Sequence, residues 1–381
     1  MIPGTFMTQR IRVLLLIPHL NGGGAEKVIA LLARGLSSRK YDLHLGLVTQ
    51  TDQDGAALPP WVTVHALGSP RVRRGAWPLL RLVWRLRPDA ILSGIAHLNF
   101  LVLLLRPLFP RKTRVLVRQS GTASASLAFG GLHPCASQLY KLLYPRADCV
   151  ICQTSAMAED LARVLDSQES KIAVLPNPVD RERIDTAAKG PNCWRGPGPH
   201  LLAVGRLARE KGFDLLLEAM PAVLRRFPHA DLLLAGAGPE EIALRAQCRR
   251  LGLENNVRFA GYVDPPYTLF PGATLFVLSS RHEGMPNALL EAACAGLPLV
   301  ALPASGGVID LLRNRPGAWL ASEISASALG GTLLEALDTL HPESWLQHDA
   351  SANAAAQHSH DSAARHGAAL REVLQRERAE Q

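Results

Sequence analysis

The chain has 381 residues, 48% hydrophobic and 19% charged, which excludes a disordered chain and supplies apolar material for two cores. A domain averages roughly 100–200 residues, so two domains are expected. The net charge of +8 is uneven: residues 1–180 carry 21 Lys and Arg against 11 Asp and Glu, and residues 181–381 carry 20 against 22.

The surplus of the first half calls for a negative partner there, such as a lipid headgroup, a diphosphate or a nucleic acid. The first strand, Arg12–Ile17, contains the apolar run from Val13, which is too short for a signal peptide and leads into a Gly-rich loop. That loop, Pro18 to Glu26, opens the helix Ala25–Leu36 and holds Gly22, Gly23 and Gly24. Glycines let backbone approach a ligand, and a helix N-terminus offers amides to a phosphate or a sugar hydroxyl. The spacing is not that of a dinucleotide fingerprint, and a tight strand-to-helix turn explains the loop equally well.

Strands follow at Leu43–Val48 and Val62–His65. Between Arg71 and Arg87 six arginines accompany Trp77, Leu79, Leu80, Val83 and Trp84. Such a helix suits an anionic membrane surface; the plain alternative packs its apolar stripe on a sheet with arginines in water. After the strand Ala90–Leu92 comes His97, at a carboxyl end where sites gather, as a catalytic candidate or a helix-start histidine. The most apolar stretch, Leu98–Leu105, is stopped by Arg106, short of the roughly 20 residues of a membrane span. Arg114–Val117, Cys149–Cys152 and Ile172–Val174 are further strands, with a helix at Ala156–Leu165. The Cys149/Cys152 spacing lies in an apolar strand and reads as core. Six cysteines without disulfide-like clustering fit a reducing cytoplasm.

From Pro176 to His200 prolines and glycines interrupt the pattern, as in a linker. Alternation resumes with strands at Leu201–Val204, Asp231–Leu234, Val257–Phe259, Leu275–Leu278 and Leu299–Leu302. Gly205-Arg206-Leu207-Ala208-Arg209-Glu210-Lys211-Gly212 follows the first of these, where Arg206 and Lys211 can clamp a diphosphate. After the strand at Leu275 comes Glu283-Gly284-Met285-Pro286-Asn287-Ala288-Leu289-Leu290-Glu291, with Pro286 as the first helical residue. Glu283 and Glu291 are suited to vicinal hydroxyls, with helix amides between them. The Ala- and His-rich tail from His341 has a weak helical pattern over Ala364–Leu374. Its His358 and His360 read as a solvated tail rather than a metal site.

These elements resemble glycosyltransferase family 4, of the GT-B fold. The resemblance rests on Glu283 and Glu291 of a Glu-x7-Glu motif, and on Gly205, Arg206, Leu207, Lys211 and Gly212. It rests also on Gly23-Gly24-Ala25-Glu26 and Pro176-Asn177-Pro178-Val179-Asp180. It implies an α/β chain of two doubly wound Rossmann-like domains facing each other across a cleft. The first would be an acceptor-side domain (1–180), followed by a linker (181–200), a nucleotide-sugar domain (201–345) and a helical tail (346–381) crossing back to the first. Arg206, Lys211, Glu283 and His97 would serve catalysis; Gly22, Gly23, Gly24, Gly205, Gly284, Met285, Pro286, Asn287 and Glu291 would bind the donor.

The implied reaction retains anomeric configuration without metal or other cofactor, and moves a hexose or N-acetylhexosamine from a nucleotide sugar, UDP-sugars first. The acceptor would be a saccharide, lipid-linked by preference, and the enzyme cytoplasmic or peripheral on the inner face of a membrane. Two positions depart from the family pattern: Asp310 ends Gly306-Gly307-Val308-Ile309-Asp310 where relatives have Glu, and Arg118-Gln119-Ser120-Gly121 lacks a histidine that relatives carry. Competing readings are an inactive nucleotide-sugar-binding paralogue, and a phosphorylase or epimerase on the same fold. A nucleic-acid binder is disfavoured because no recognition motif accompanies the basic half.

Overall fold

Strand β1 (Ile11–Ile17) is apolar nearly throughout because both its faces are covered. Leu14 and Leu16 enter one core cluster, whereas Val13, Leu15 and Ile17 enter another. That is the period-two alternation of a strand buried on both sides. In this computed structural model, residues 10–20, 23–49, 58–129, 136–166, 171–340 and 362–380 are described.

After β1 come α1 (Gly24–Gly35), β2 (Tyr41–Leu47), β3 (Val62–Ala66), α2 (Ala76–Leu86), β4 (Ala90–Ser93) and α3 (Ala96–Leu105). Then follow β5 (Arg114–Arg118), α4 (Ala123–Phe129), α5 (Ala136–Leu143), β6 (Cys149–Cys152), α6 (Ser155–Leu165) and β7 (Ile172–Val174). The strands form one parallel sheet in the order β3-β2-β1-β4-β5-β6-β7. Its strand order reverses between β1 and β4, the point at which open α/β sheets receive ligands.

The second sheet repeats the plan. Its elements are α7 (Arg181–Ala187), β8 (His200–Val204), α8 (Phe213–Arg226), β9 (Asp231–Ala235), α9 (Glu241–Arg250) and β10 (Val257–Gly261). They continue with β11 (Leu275–Leu278), α10 (Asn287–Cys294), β12 (Leu299–Ala301), α11 (Gly306–Leu312), β13 (Ala318–Leu320) and α12 (Ala326–Thr339). The parallel order is β10-β9-β8-β11-β12-β13, with its reversal between β8 and β11. Leu201 and Ala203 face a core shared with α8 and α12, and Leu202 faces one shared with α7, α10 and α11. Together these are two Rossmann-like α/β folds.

The last helix, α13 (Ser362–Glu380), packs on the first sheet's side of the chain. Tyr41 donates from its hydroxyl to the Gly367 carbonyl at 2.8 Å and accepts from Arg371 Nη1 at 2.7 Å. Leu370, 1% exposed, joins the core that holds Val13 and Leu15. Accordingly, Met1–Pro178 with Asp361–Gln381 make one compact unit and Val179–His360 the other.

Several expectations need correction. Residues 181–200 are not a bare linker: Arg181–Ala187 is helical, capped by Asp180, and its Ile184 is 1% exposed within the second unit's core. Pro286 stands just outside its helix with extended backbone, and Asn287 is the first helical residue. The strand Ala318–Leu320 was not expected because, unlike the equally short Ile172–Val174, it holds no β-branched residue. Helix α13 runs well past the expected 364–374. His358 and His360 lie outside the described residues.

Candidate active site

In the second unit the reversal between β8 and β11 brings the loops 205–212 and 279–286 side by side. Lys211 ends a short 3₁₀ turn, Arg209–Lys211, and its Nζ donates to Glu283 Oε1 at 2.6 Å. Ser280 Oγ donates to the same oxygen at 2.7 Å. Both charged side chains are largely shielded, Lys211 at 25% exposure and Glu283 at 10%. An ammonium carries three N–H donors, and the bond to Glu283 takes one.

The backbone beneath this pair is tightly fitted. Gly212 adopts φ +62°, and a Cβ there would stand 2.0 Å from the Ser279 carbonyl oxygen, so only glycine fits. Ser279 Oγ donates to the Lys211 carbonyl at 2.9 Å. Arg281 binds Asp214 through both guanidinium nitrogens, at 2.7 and 2.6 Å, and donates to the Arg209 carbonyl at 2.9 Å. Burial would raise the Asp214 pKa, but the Arg281 bonds and charge outweigh it and hold it below the ordinary carboxylate value. Just past the neighbouring strand, Gly236 lies so close to Gly205 that a Cβ would reach within 1.8 Å of the Gly205 oxygen.

Arg206 does not converge with Lys211 as a ready clamp. Its side chain is 66% exposed and donates to Glu210 at 2.5 Å. Burial raises the Glu210 pKa, but the Arg206 bond, with the charges of Arg206 and Lys211, brings it below its usual range. Each cation is therefore held by its own carboxylate. Gly284, Met285 and Pro286 form the loop into α10, and Ser305 Oγ donates to the Gly284 carbonyl at 3.1 Å. Asn287 begins α10, and Glu291 lies one turn further in, only 4% exposed. Asp310, the shortened carboxylate, is instead exposed on α11 with Arg313 at 3.7 Å.

In the first unit the reversal sets the loop after β1 beside the start of α3. Gly22 lies outside the described residues. Gly23 caps α1, and a Cβ on it would meet Glu26 Oε2 at 2.0 Å, so the Glu26 carboxylate is folded back over the helix start. Gly24 is the first residue of α1. His19 Nδ1 is 3.9 Å from Glu26 Oε1. His97, second in α3, reaches the surface, yet partial burial lowers its pKa below 6.5; Glu26 pulls it up and His19 pushes it down. His19, Glu26 and His97 thus share one electrostatic neighbourhood. The motif reading picked out Glu26 and His97 separately and missed their association, as it missed Ser280, Arg281 and Asp214; position just after a strand, or in a helix's first turn, is the signal that marks these.

The end of β5 and the residue after it turn inward. Arg118, 2% exposed, donates to Asn177, and burial lowers its pKa to about 10. Gln119 donates to the Tyr140 hydroxyl at 3.0 Å and accepts from Tyr144 at 2.7 Å. Neither side chain stands in for the histidine that the loop after β5 lacks. Cys149 and Cys152 are buried thiols, and burial pushes Cys152 up to about 12. Among the described residues, no group of three or more His, Cys, Asp or Glu side chains is placed to hold a metal ion, and no helix is long and apolar enough to cross a membrane.

Residues 198–339 match the family model described as Glycosyl transferases group 1, and residues 22–183 match Glycosyltransferase Family 4. The chain is 26% identical over 309 residues to a Campylobacter jejuni N-acetylgalactosamine-N,N'-diacetylbacillosaminyl-diphospho-undecaprenol 4-alpha-N-acetylgalactosaminyltransferase, covering 78% of this chain and 82% of that protein. It is 33% identical over 172 residues to a lipopolysaccharide core biosynthesis glycosyltransferase of Rhizobium meliloti, covering 43% and 46%. Among solved structures, Anabaena HepE in complex with UDP-glucose superposes with a TM-score of 0.71 at 17% identity, covering 98% of this chain and 100% of that one. Sucrose-phosphate synthase from Thermosynechococcus elongatus superposes at 0.75 with 18% identity, covering 96% and 99%.

Proposed function

The chain belongs to glycosyltransferase family 4 and is a glycosyltransferase of the GT-B fold; from that premise we propose that it transfers a hexose or N-acetylhexosamine from a UDP-sugar, with retention, to a lipid-linked saccharide. The observation that carries this reading is the shielded Lys211–Glu283 pair at the second unit's reversal point, with Glu291 buried one turn into the adjoining helix.

Lys211 and Arg206 offer cationic donors to the diphosphate, and the first amides of α10 offer neutral ones. Glu291 accepts from both ribose hydroxyls, and Glu283 from a hydroxyl of the transferred sugar. As the bond between the anomeric carbon and the β-phosphate oxygen breaks, negative charge grows on the diphosphate, and Lys211 stabilises it where it forms. The acceptor oxygen bonds to the anomeric carbon on the same face, and its proton passes to the departing phosphate. These cationic groups take the place of a divalent ion. Support for the lipid-linked acceptor is the Campylobacter jejuni relative, named for a diphospho-undecaprenol substrate; support for UDP is the HepE complex.

The test is a thermal-shift screen of common nucleotide sugars followed by product analysis in EDTA without added phosphate. A true donor at a hundredfold excess over its Kd stabilises by about 2.7 kcal/mol. Stabilisation by UDP-sugars and an α-linked product from an α-linked donor are expected. An inverted product, a strict Mg²⁺ requirement, or phosphate-dependent turnover would replace this reading with another.

A further inference from the structure

The first unit carries a surface that its sheet packing does not account for. From residue 58 to residue 147 the sequence has 13 Lys and Arg and a single acid, Asp89, whose carboxylate accepts from the Arg12 amide at 2.7 Å. Helix α2 buries Leu79, Leu82 and Val83, while the opposite stripe, Trp77, Arg81 and Trp84, stands in solvent. Trp77 is 72% exposed and Trp84 50%. Beside it α3 is uniformly apolar from Phe100 to Leu105, an arrangement normally reserved for a buried helix. Its Leu98, Val102 and Leu103 fill the core, yet Leu104 is 58% exposed, and Leu108 just beyond is 54% exposed.

The two apolar runs are joined. Trp84 Nε1 donates to the Leu108 carbonyl at 3.0 Å, fixing the indole against the end of the α3 segment. Arg73, Arg74, Arg81, Arg111 and Lys112 are exposed on these same elements and their flanks, and none has an ion-pair partner among the described residues. A soluble anion would answer these cations and leave the tryptophans and leucines in water. An anionic lipid interface answers both, since phosphates meet the arginines while Trp and Leu enter the headgroup boundary.

We propose that the α2–α3 face of the first unit docks on an anionic membrane surface. The inference deepens the proposed lipid-linked acceptor and rests on that reading for its purpose, though the surface itself is made of different residues from the site. Helix α3 links the two: His97 is in its first turn and Leu104 in its last. Docking through Leu104 therefore holds His97 one helix length from the lipid.

The experiment is cosedimentation of the full chain, without donor or acceptor, with vesicles of phosphatidylglycerol and phosphatidylcholine in equal parts, and of phosphatidylcholine alone. Wild type is expected to pellet only with the anionic vesicles, and more weakly, though still measurably, in high salt. Arg73→Glu, Arg74→Glu and Arg81→Glu combined should lower partitioning about a hundredfold, given roughly 1 kcal/mol per basic residue at such a surface. Trp77→Ser with Leu104→Ser should remove the salt-resistant part. Reversing Arg225, Arg249 and Arg250 of the second unit should change little. Should the triple Glu variant not fold, the triple Gln variant gives the same reading at smaller amplitude. Equal pelleting of the triple variant and wild type, or wild type that ignores anionic vesicles, overturns the proposal. Because no sugar chemistry is measured, either result leaves the donor reading standing.

Discussion

Lys211 and Glu283 meet at 2.6 Å with a hydroxyl from Ser280 on the same carboxylate oxygen. If Lys211 neutralises a departing diphosphate, Lys211→Ala should lower kcat/KM by about 2–4 kcal/mol, roughly 30- to 1000-fold. It also leaves the shielded Glu283 without its cation, so stability should fall by about 1–3 kcal/mol. Glu291→Gln keeps the buried shape and removes the charge; here the loss should appear as weakened UDP affinity with the melting temperature nearly unchanged. Calorimetric titration with UDP and steady-state kinetics on folded protein check both, and wild-type turnover in either variant refutes the roles given to them. None of this geometry was legible in sequence. Lys211 and Glu283 are 72 positions apart, and each was singled out by motif, but only folding makes them an ion pair. The separate engagement of Arg206 with Glu210 was equally hidden, although an i,i+4 spacing makes such a pair ordinary.

Loops at strand ends are the least constrained parts of these sheets, and the two in the second unit are constrained by each other. Arg281 is the bolt: its fork holds Asp214 at the start of α8, and its backbone amide donates to the Glu210 carbonyl at 2.8 Å. It touches no position assigned to substrate, so its effect would be one of positioning. Arg281→Ala should cut kcat by about tenfold through a loosened Lys211, and Arg281→Lys, which keeps charge without the fork, should restore only part of it. Asp214→Asn combined with Arg281→Ala should cost little more than either alone, since one contact is removed twice. Additive losses would mean the two act separately. At this scale the strands were readable because burial on both faces demands unbroken apolar runs, as in Leu14–Ile17 and Leu275–Leu278. Two elements were not: β13 holds no β-branched residue, and α7 is set among prolines and glycines that mimic a linker.

Across the molecule the same plan is used twice, and a shared plan without shared sequence is visible only through the alternation of strand and helix. What composition could not convey is that the first unit is finished by a helix that follows the second. Stopping the chain before Ser362 would withdraw Leu370 from the core and both hydrogen bonds from Tyr41. The truncated protein is expected to show a lower melting transition of the first unit, with donor-induced stabilisation of the second unit retained; scanning calorimetry with and without UDP separates them, and an unchanged profile would mean α13 adds nothing. The same closure has a consequence in time. Synthesis runs at about 5–20 residues per second, so the roughly 180 residues between Pro178 and Asp361 take on the order of 10–40 s to make. Throughout that interval the nascent first unit shows the ribosome's surroundings an uncovered Tyr41 and the core beside it, which are sealed only when α13 emerges.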